Sequence, residues 1–324
     1  MYKMIMVPTD GSGFDQEAIR VALRVAERSR AKVRLVRVHA TGVFFGMESS
    51  PEAVRVSAQV LELERERILG ELDALAAECR SASPAEIEVA LEDGPVPDAL
   101  HAYANRNKVD LIVLSSHGRG GIARLSLGSV TDSLIRRTTI PVLIVKPHSS
   151  YLDPQPGDPF RHIVVPLDGS SIAEQILPEV VALAKVEGSE LTLLRVVVPR
   201  TSSQKAIADE STPWWDQDVA AAEAYLFRTA DKLREDGFRA KIDVVIGENI
   251  AQSITDYASM ESADLVAIAT HGRGGFSRAL RGSVADVVTR TSRTSMLVLR
   301  PAATLAREAP TKEARLSNRI PVIA

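Results

Sequence analysis

Two rhythms of apolar residues alternate along the chain. Short runs, either continuous or on every other residue, fall at 3–8, 32–39, 87–91, 111–114 and 141–145, the second alternating around Val33, Leu35 and Val38. These read as strands, and the unbroken ones as strands buried on both faces. Between them the apolar spacing stretches to three and four. Ile19, Leu23 and Ala26 share one side of a helical segment after Gly13, and Pro51 opens a long helix, as proline at a first turn does. A third helix runs from the Asp93-Gly94-Pro95 turn to near Asn107, and a fourth spans 129–137. Strands separated by helices predict an α/β fold, a doubly wound parallel sheet of five strands in the order 3-2-1-4-5. Ligands of such sheets settle at the carboxyl ends of the strands beside the switch point, here between the first and fourth strands.

The pattern then restarts. Ile163-Val-Val-Pro166-Leu167-Asp168-Gly-Ser answers Ile5-Met-Val-Pro8-Thr9-Asp10-Gly-Ser. The run 191–198 answers the second strand, Gly247-Glu-Asn-Ile before a helix answers Gly94-Pro-Val-Pro, and 296–299 answers the fifth strand. A repeat of about 150 residues is a whole domain and too long for a solenoid unit. The expected division is one domain over 1–147, a proline-rich linker over 148–160, a second domain over 161–301 and a largely disordered tail over 302–324. A length of 324 residues suits two such domains.

Composition narrows the partners. A formal net charge of −3 gives no electrostatic reason to expect nucleic acid or an anionic membrane surface. No apolar run reaches transmembrane length, and the N-terminus enters a strand without the layout of a signal peptide. The single cysteine, Cys79, keeps helical step with Ile68, Leu72 and Leu75 and reads as a buried core thiol. A cytoplasmic protein is expected, with neither nucleic acid nor membrane as partner.

The candidate chemistry lies in a stretch present twice. Ser115-Ser116-His117-Gly118-Arg119-Gly120-Gly121 runs on to Gly128-Ser129-Val130; Ala269-Thr270-His271-Gly272-Arg273-Gly274-Gly275 runs on to Gly282-Ser283-Val284. In both, nine residues separate the glycine after the histidine from the Gly-Ser pair. A buried strand precedes each stretch and a helix follows, so backbone N–H groups are expected to gather round an anion at a helix head, with glycines letting the main chain approach. Ser129 and Ser283 also begin capping-box patterns ending at Asp132 and Asp286, which would explain them by helix stability alone. Arg119, Arg273, Arg124 and Arg278 keep register and suit forked bonds to phosphate or a solvated surface, and Arg281 makes the second loop the more basic. Asp10 and Asp168 end the first strand of each half. There a carboxylate accepts from a sugar hydroxyl or an amine, binds metal through water, or forms an Asx-turn with the Gly-Ser that follows. His117 and His271 read as loop-shaping hydrogen bonders, and Phe44-Phe45 and Trp214-Trp215 as loop residues packed on their own domain.

A Walker lysine, a full dinucleotide fingerprint and a GxSxG elbow are all missing from the sequence, and only the two aspartates resemble a positioned base. Binding is better supported than catalysis.

At these loops the chain resembles the universal stress protein family in a tandem, two-domain form. The family's ATP-binding branch carries Gly-x-x-Gly, nine residues, then Gly-Ser/Thr, which maps here to Ser115, Gly118, Gly128 and Ser129 and to Ala269, Gly272, Gly282 and Ser283; Ser115 and Ala269 depart from the first glycine. The resemblance implies two sheets of the adenine nucleotide alpha hydrolase kind and an ATP-binding regulatory module of the stress response, with Mg²⁺ or Mn²⁺ held through the phosphates. One site would comprise Pro8, Thr9, Asp10, Val38, Ser115, Gly118, Arg119, Gly121, Gly128, Ser129, Val130 and Thr131. The other would comprise Pro166, Leu167, Asp168, Val196, Ala269, Gly272, Arg273, Gly275, Gly282, Ser283 and Val284. The family also pairs domains through the fifth strand, and the apolar edges 142–145 and 296–299 need covering, within one chain or in a homodimer. A regulatory protein partner is implied as well. Two other classes stay open: a slow Mg-dependent ATPase using Asp10 or Asp168, and a nucleotide-free scaffold in which the serines are caps.

Overall fold

In a computed structural model, which describes residues 1–40, 51–116, 127–146, 160–199, 214–270 and 284–302 (without the side chains of 51–58 and 214–216), the apolar runs form strands that line up in one sheet. The expected linker, except for residue 160, and all but the first residue of the expected tail lie outside the described residues, as do Phe44-Phe45.

The first half runs β1 (Met4–Pro8), α1 (Gln16–Ser29), β2 (Lys32–His39), α2 (Pro51–Ala82), β3 (Ile87–Asp93), α3 (Val96–Arg106), β4 (Leu111–Ser115), α4 (Ser129–Arg137) and β5 (Val142–Val145). The second runs β6 (His162–Pro166), a 3-10 turn (Ala173–Ile176), α5 (Leu177–Glu187), β7 (Glu190–Val197), α6 (Trp214–Glu235), β8 (Arg239–Ile246), α7 (Ile250–Met260), β9 (Leu265–Ala269), α8 (Val284–Thr291) and β10 (Ser295–Leu299). The sheet order is β3-β2-β1-β4-β5-β10-β9-β6-β7-β8. Neighbours within each half are parallel, with Ile5 opposite Val33 on one side and Leu111 on the other. At the centre β5 and β10 pair antiparallel, Leu143 opposite Leu297 and Ile144 opposite Met296.

Strand alternation sends side chains to two cores, and both run across the junction. Ile5, Val33, Leu143 and Leu297 face α1, α2, α5 and α6 through residues such as Ala22, Leu72, Val180 and Leu226. Met6, Val36, Ile144 and Met296 face α3, α4, α7 and α8 through Leu100, Leu134, Ile254 and Val288. Cys79 is buried within the first core, and desolvation raises its thiol pKa. The halves are therefore one folded body. The fifth-strand edges meet inside this chain, so a homodimer through those edges, expected above, is corrected: each edge already has its partner, and a third strand cannot add to it.

Polar ties reinforce the junction. Arg28 at the end of α1 meets the fully buried Glu187 carboxylate of α5 at 3.2 Å. Lys146, just past β5, donates through Nζ to the carbonyl of Thr289 at 3.2 Å and to that of Ser292, capping the tail of α8 from the opposite half. Burial lowers the Lys146 pKa to about 8.

Two outcomes follow. Leu297→Ala removes a fully buried side chain at the central pair and is expected to cost about 2–5 kcal/mol in denaturant unfolding. Between about pH 8 and the unfolded lysine value near 10.4, the unfolded chain still holds a proton that folded Lys146 has released, so stability contributed by this group rises with pH. Comparing the parent with Lys146→Met across that window should show the parent gaining on the variant; parallel profiles would contradict it.

Candidate functional site

Each half ends its first strand in the same way. The Thr9 amide donates to Val36 O at 2.9 Å and the Leu167 amide to Leu194 O at 2.8 Å, carrying the ladder one residue past β1 and β6. Asp10 and Asp168 follow. An Oδ1 of each accepts from the backbone N–H two residues on, that of Ser12 at 2.8 Å and that of Ser170 at 2.9 Å, so the Asx-turns read from the sequence do form. The glycine inside each turn has positive φ, +72° at Gly11 and +81° at Gly169. Thr9 is buried, its hydroxyl donating to Asp15 and accepting from the Gly11 amide at 3.2 Å. Asp10 is half-buried and Asp168 exposed.

An arginine not anticipated from the sequence lies over each turn. A Cβ on Gly11 would stand 2.9 Å from Arg37 Nη1, and one on Gly169 would stand 2.8 Å from Arg195 Nη1. Both come from the second strand of their half, β2 and β7. Arg37 is buried and pairs with Glu71 of α2 at 2.7 Å, which holds the Glu71 carboxyl below its ordinary value. Arg195 lies 5.9 Å from the centre of the Tyr225 ring, whose hydroxyl donates to Glu174 at 2.9 Å. The signal was available: both arginines occupy the same place in the repeat, immediately before Val38 and Val196.

The fourth strands end alike too. Ser116 N donates to Val145 O at 3.0 Å and Thr270 N to Leu299 O at 2.8 Å. In the first half Gly128 is the residue before α4. The structure gives Gly128 φ −59° and ψ 148°, ordinary for any residue. Among the described residues a Cβ there would touch Thr131 Oγ1 at 3.8 Å and Ser116 O at 3.9 Å, which is van der Waals contact. Among the described residues nothing requires glycine at this place. The first intrahelical bond runs from Asp132 N to Gly128 O at 2.9 Å, so the amides of Ser129, Val130 and Thr131 form the helix head, above the end of β4.

Ser129 is the first helical residue and exposed, and no side-chain hydrogen bond caps α4. The capping-box reading of Ser129 is therefore corrected, because the N-cap position belongs to Gly128. Val130 and Val284 are partly buried and pack on the core, as do Val38 and Val196. Thr131 is buried, as are Pro166, Leu167 and Ala269, while Pro8 and Ser115 are half-buried. The structure thus gathers Pro8, Thr9, Asp10, Val38, Ser115, Gly128, Ser129, Val130 and Thr131 at the carboxyl ends of β1, β2 and β4. In the second half Pro166, Leu167, Asp168, Val196 and Ala269 stand at the matching strand ends, with Val284 opening α8. Gly118, Arg119, Gly121, Gly272, Arg273, Gly275, Gly282 and Ser283 lie outside the described residues, with Arg124, Arg278, Arg281 and both loop histidines. Among the described residues no three of His, Cys, Asp or Glu are grouped to hold a metal ion, and no helix is long and apolar enough to cross a membrane.

Comparison with known proteins adds to this geometry. The model of the universal stress protein family matches residues 1–146 and again 159–300. A universal stress protein of Mycobacterium tuberculosis is 30% identical over 213 residues; the match covers 64% of this chain and 66%, just under two thirds, of that relative. One from Mycolicibacterium smegmatis is 26% identical over 306 residues, covering 92% of this chain and 97% of the relative. Among solved structures, a universal stress protein of Archaeoglobus fulgidus superimposes with a TM-score of 0.65 at 18% identity, covering 92% of this chain and 98% of its own. A Pseudomonas aeruginosa structure described as a putative universal stress protein gives 0.57 at 16% identity, covering 94% and 95%. At those identities the likeness is one of fold.

The α4 head yields a direct test. Since the Ser129 hydroxyl does not cap the helix, Ser129→Ala should move the unfolding free energy by no more than about 0.5 kcal/mol; a loss of about 1 kcal/mol or more would restore the capping role.

Proposed function

This chain belongs to the universal stress protein family, with two such domains in tandem, and on that premise we propose that each domain binds an adenine nucleotide, ATP foremost, as a regulatory module of the stress response. The observation that carries the reading is Gly128. Its backbone angles suit any residue and its described neighbours leave room for a side chain, yet the Gly-Ser pair stands there and recurs at Gly282-Ser283. A glycine that neither its own backbone angles nor its described neighbours require is explained by a ligand that must come close. Main-chain amides at a helix head fit a phosphate.

The residues divide the work. The amides of Ser129, Val130 and Thr131 would receive phosphate oxygens, with the Ser129 hydroxyl beside them. Asp10 and Asp168, at the neighbouring strand ends, would accept from the sugar or the base, while Val38 and Val196 offer apolar surface to a ring. Gly118, Arg119 and Gly121, and Gly272, Arg273, Gly275, Gly282 and Ser283 in the second half, complete each phosphate loop on this reading. Mg²⁺ or Mn²⁺ would be held by the phosphates and would neutralise their charge. The protein works in the cytoplasm, and a protein partner reads its nucleotide state. Hydrolysis has less support, because an oxygen of each aspartate is already engaged in its turn.

With ATP at about a hundred times its dissociation constant, mass action adds roughly 2.7 kcal/mol per site, so a Mg-ATP titration should raise the melting temperature by several degrees. Gly128→Ala should fold at a cost of about 1 kcal/mol for the poorer N-cap and lose the first site's share of that shift. A flat titration of the parent, with no nucleotide released from freshly purified protein, would falsify the reading.

A further inference from the structure

Helices α4 and α8, whose heads the proposed sites use, run antiparallel, so the head of one lies beside the tail of the other. Each carries an aspartate in its first turn and an arginine four residues on: Asp132 with Arg136, and Asp286 with Arg290. The four side chains interlock across the junction. Asp132 accepts from Arg136 Nε at 2.8 Å and Nη2 at 3.1 Å, and from Arg290 Nη2 at 2.5 Å. Asp286 faces Arg290 Nε at 3.3 Å and Arg136 Nη2 at 3.5 Å.

A carboxylate one turn inside a helix head repels an anion held at that head. Within its own half Asp132 already has Arg136 as its partner, and a further positive charge beside it would favour a polyphosphate on the amides of Ser129 to Thr131. The Arg290 guanidinium, supplied by the other half, is that charge. We infer that Arg290 is a positioning residue for the first nucleotide site, acting in trans through Asp132, and that Arg136 acts reciprocally through Asp286 for the second. The inference rests on the nucleotide reading above and adds that the two sites are electrostatically dependent on one another. The quartet is lopsided. Arg290 approaches Asp132 to 2.5 Å and Arg136 approaches Asp286 to 3.5 Å.

The test is calorimetric titration of the full chain with Mg-ATP at low salt, thermal melts checking that each variant folds. Arg290→Gln should weaken binding by about two- to fivefold. Adding Asp132→Asn to it should restore the parent affinity, because the charge needing compensation is gone. Arg290→Lys should retain most of the affinity, and raising the salt should shrink the Arg290→Gln effect. Closing the first site with Gly128→Ala should abolish the rescue by Asp132→Asn. Unchanged affinity in Arg290→Gln overturns the inference. So does a loss that Asp132→Asn fails to rescue, which would make Arg290 a structural brace. A parent that binds no nucleotide is a different result, and it sinks the nucleotide reading itself.

Discussion

The antiparallel pairing of β5 with β10 is the constraint on which the rest depends. Each half of this chain, taken alone, would end in a short apolar strand with an open edge, an arrangement that invites uncontrolled pairing. Joining the two edges closes both at once and fuses two five-stranded sheets into one of ten strands. The same contact carries both cores across the junction and sets α1 against α5 and α4 beside α8. Charged ties then fall across that junction. Lys146 on the carbonyls of Thr289 and Ser292 is one, and the Asp132, Arg136, Asp286 and Arg290 quartet is another.

Around that junction the two halves repeat the same local solutions. A buried strand stops, an Asx-turn with a left-handed glycine reverses the chain, and an arginine from the neighbouring strand lies over the turn. The repetition is not complete. Arg37 is held by a carboxylate, Glu71, whereas Arg195 rests against the Tyr225 ring, whose hydroxyl goes on to Glu174. The halves share a scaffold at the strand ends while differing in the charge that surrounds each arginine.

Much of this was legible because the central strands are buried on both faces. Runs such as 111–114 and 163–166 contain nothing polar to confuse their period, and the glycine-proline turn before α3 announces the helix that follows. The covered status of the fifth strands was readable as a need, but not which partner would meet it. Pairing partners far apart in sequence leave no local trace. Asp132 and Arg290 are separated by 158 residues, and each reads alone as an ordinary helix charge. Arg37 was hidden differently. It continues the face of Val33 and Leu35 in a strand whose rhythm reads as apolar, so only its repetition as Arg195 marks it. The serine at the head of α4 satisfied a familiar capping pattern one residue out of place, and the backbone angles at Gly128 were needed to decide it.

The direction of the central pairing has a further geometric result. Parallel strands put the carboxyl ends of each half's strands on one rim of its sheet, and the antiparallel seam turns those rims to opposite sides of the molecule. A flat macromolecular surface laid against one opening therefore cannot touch the other. The chain is two-ended, and the first-strand turns of its two halves open in opposite directions.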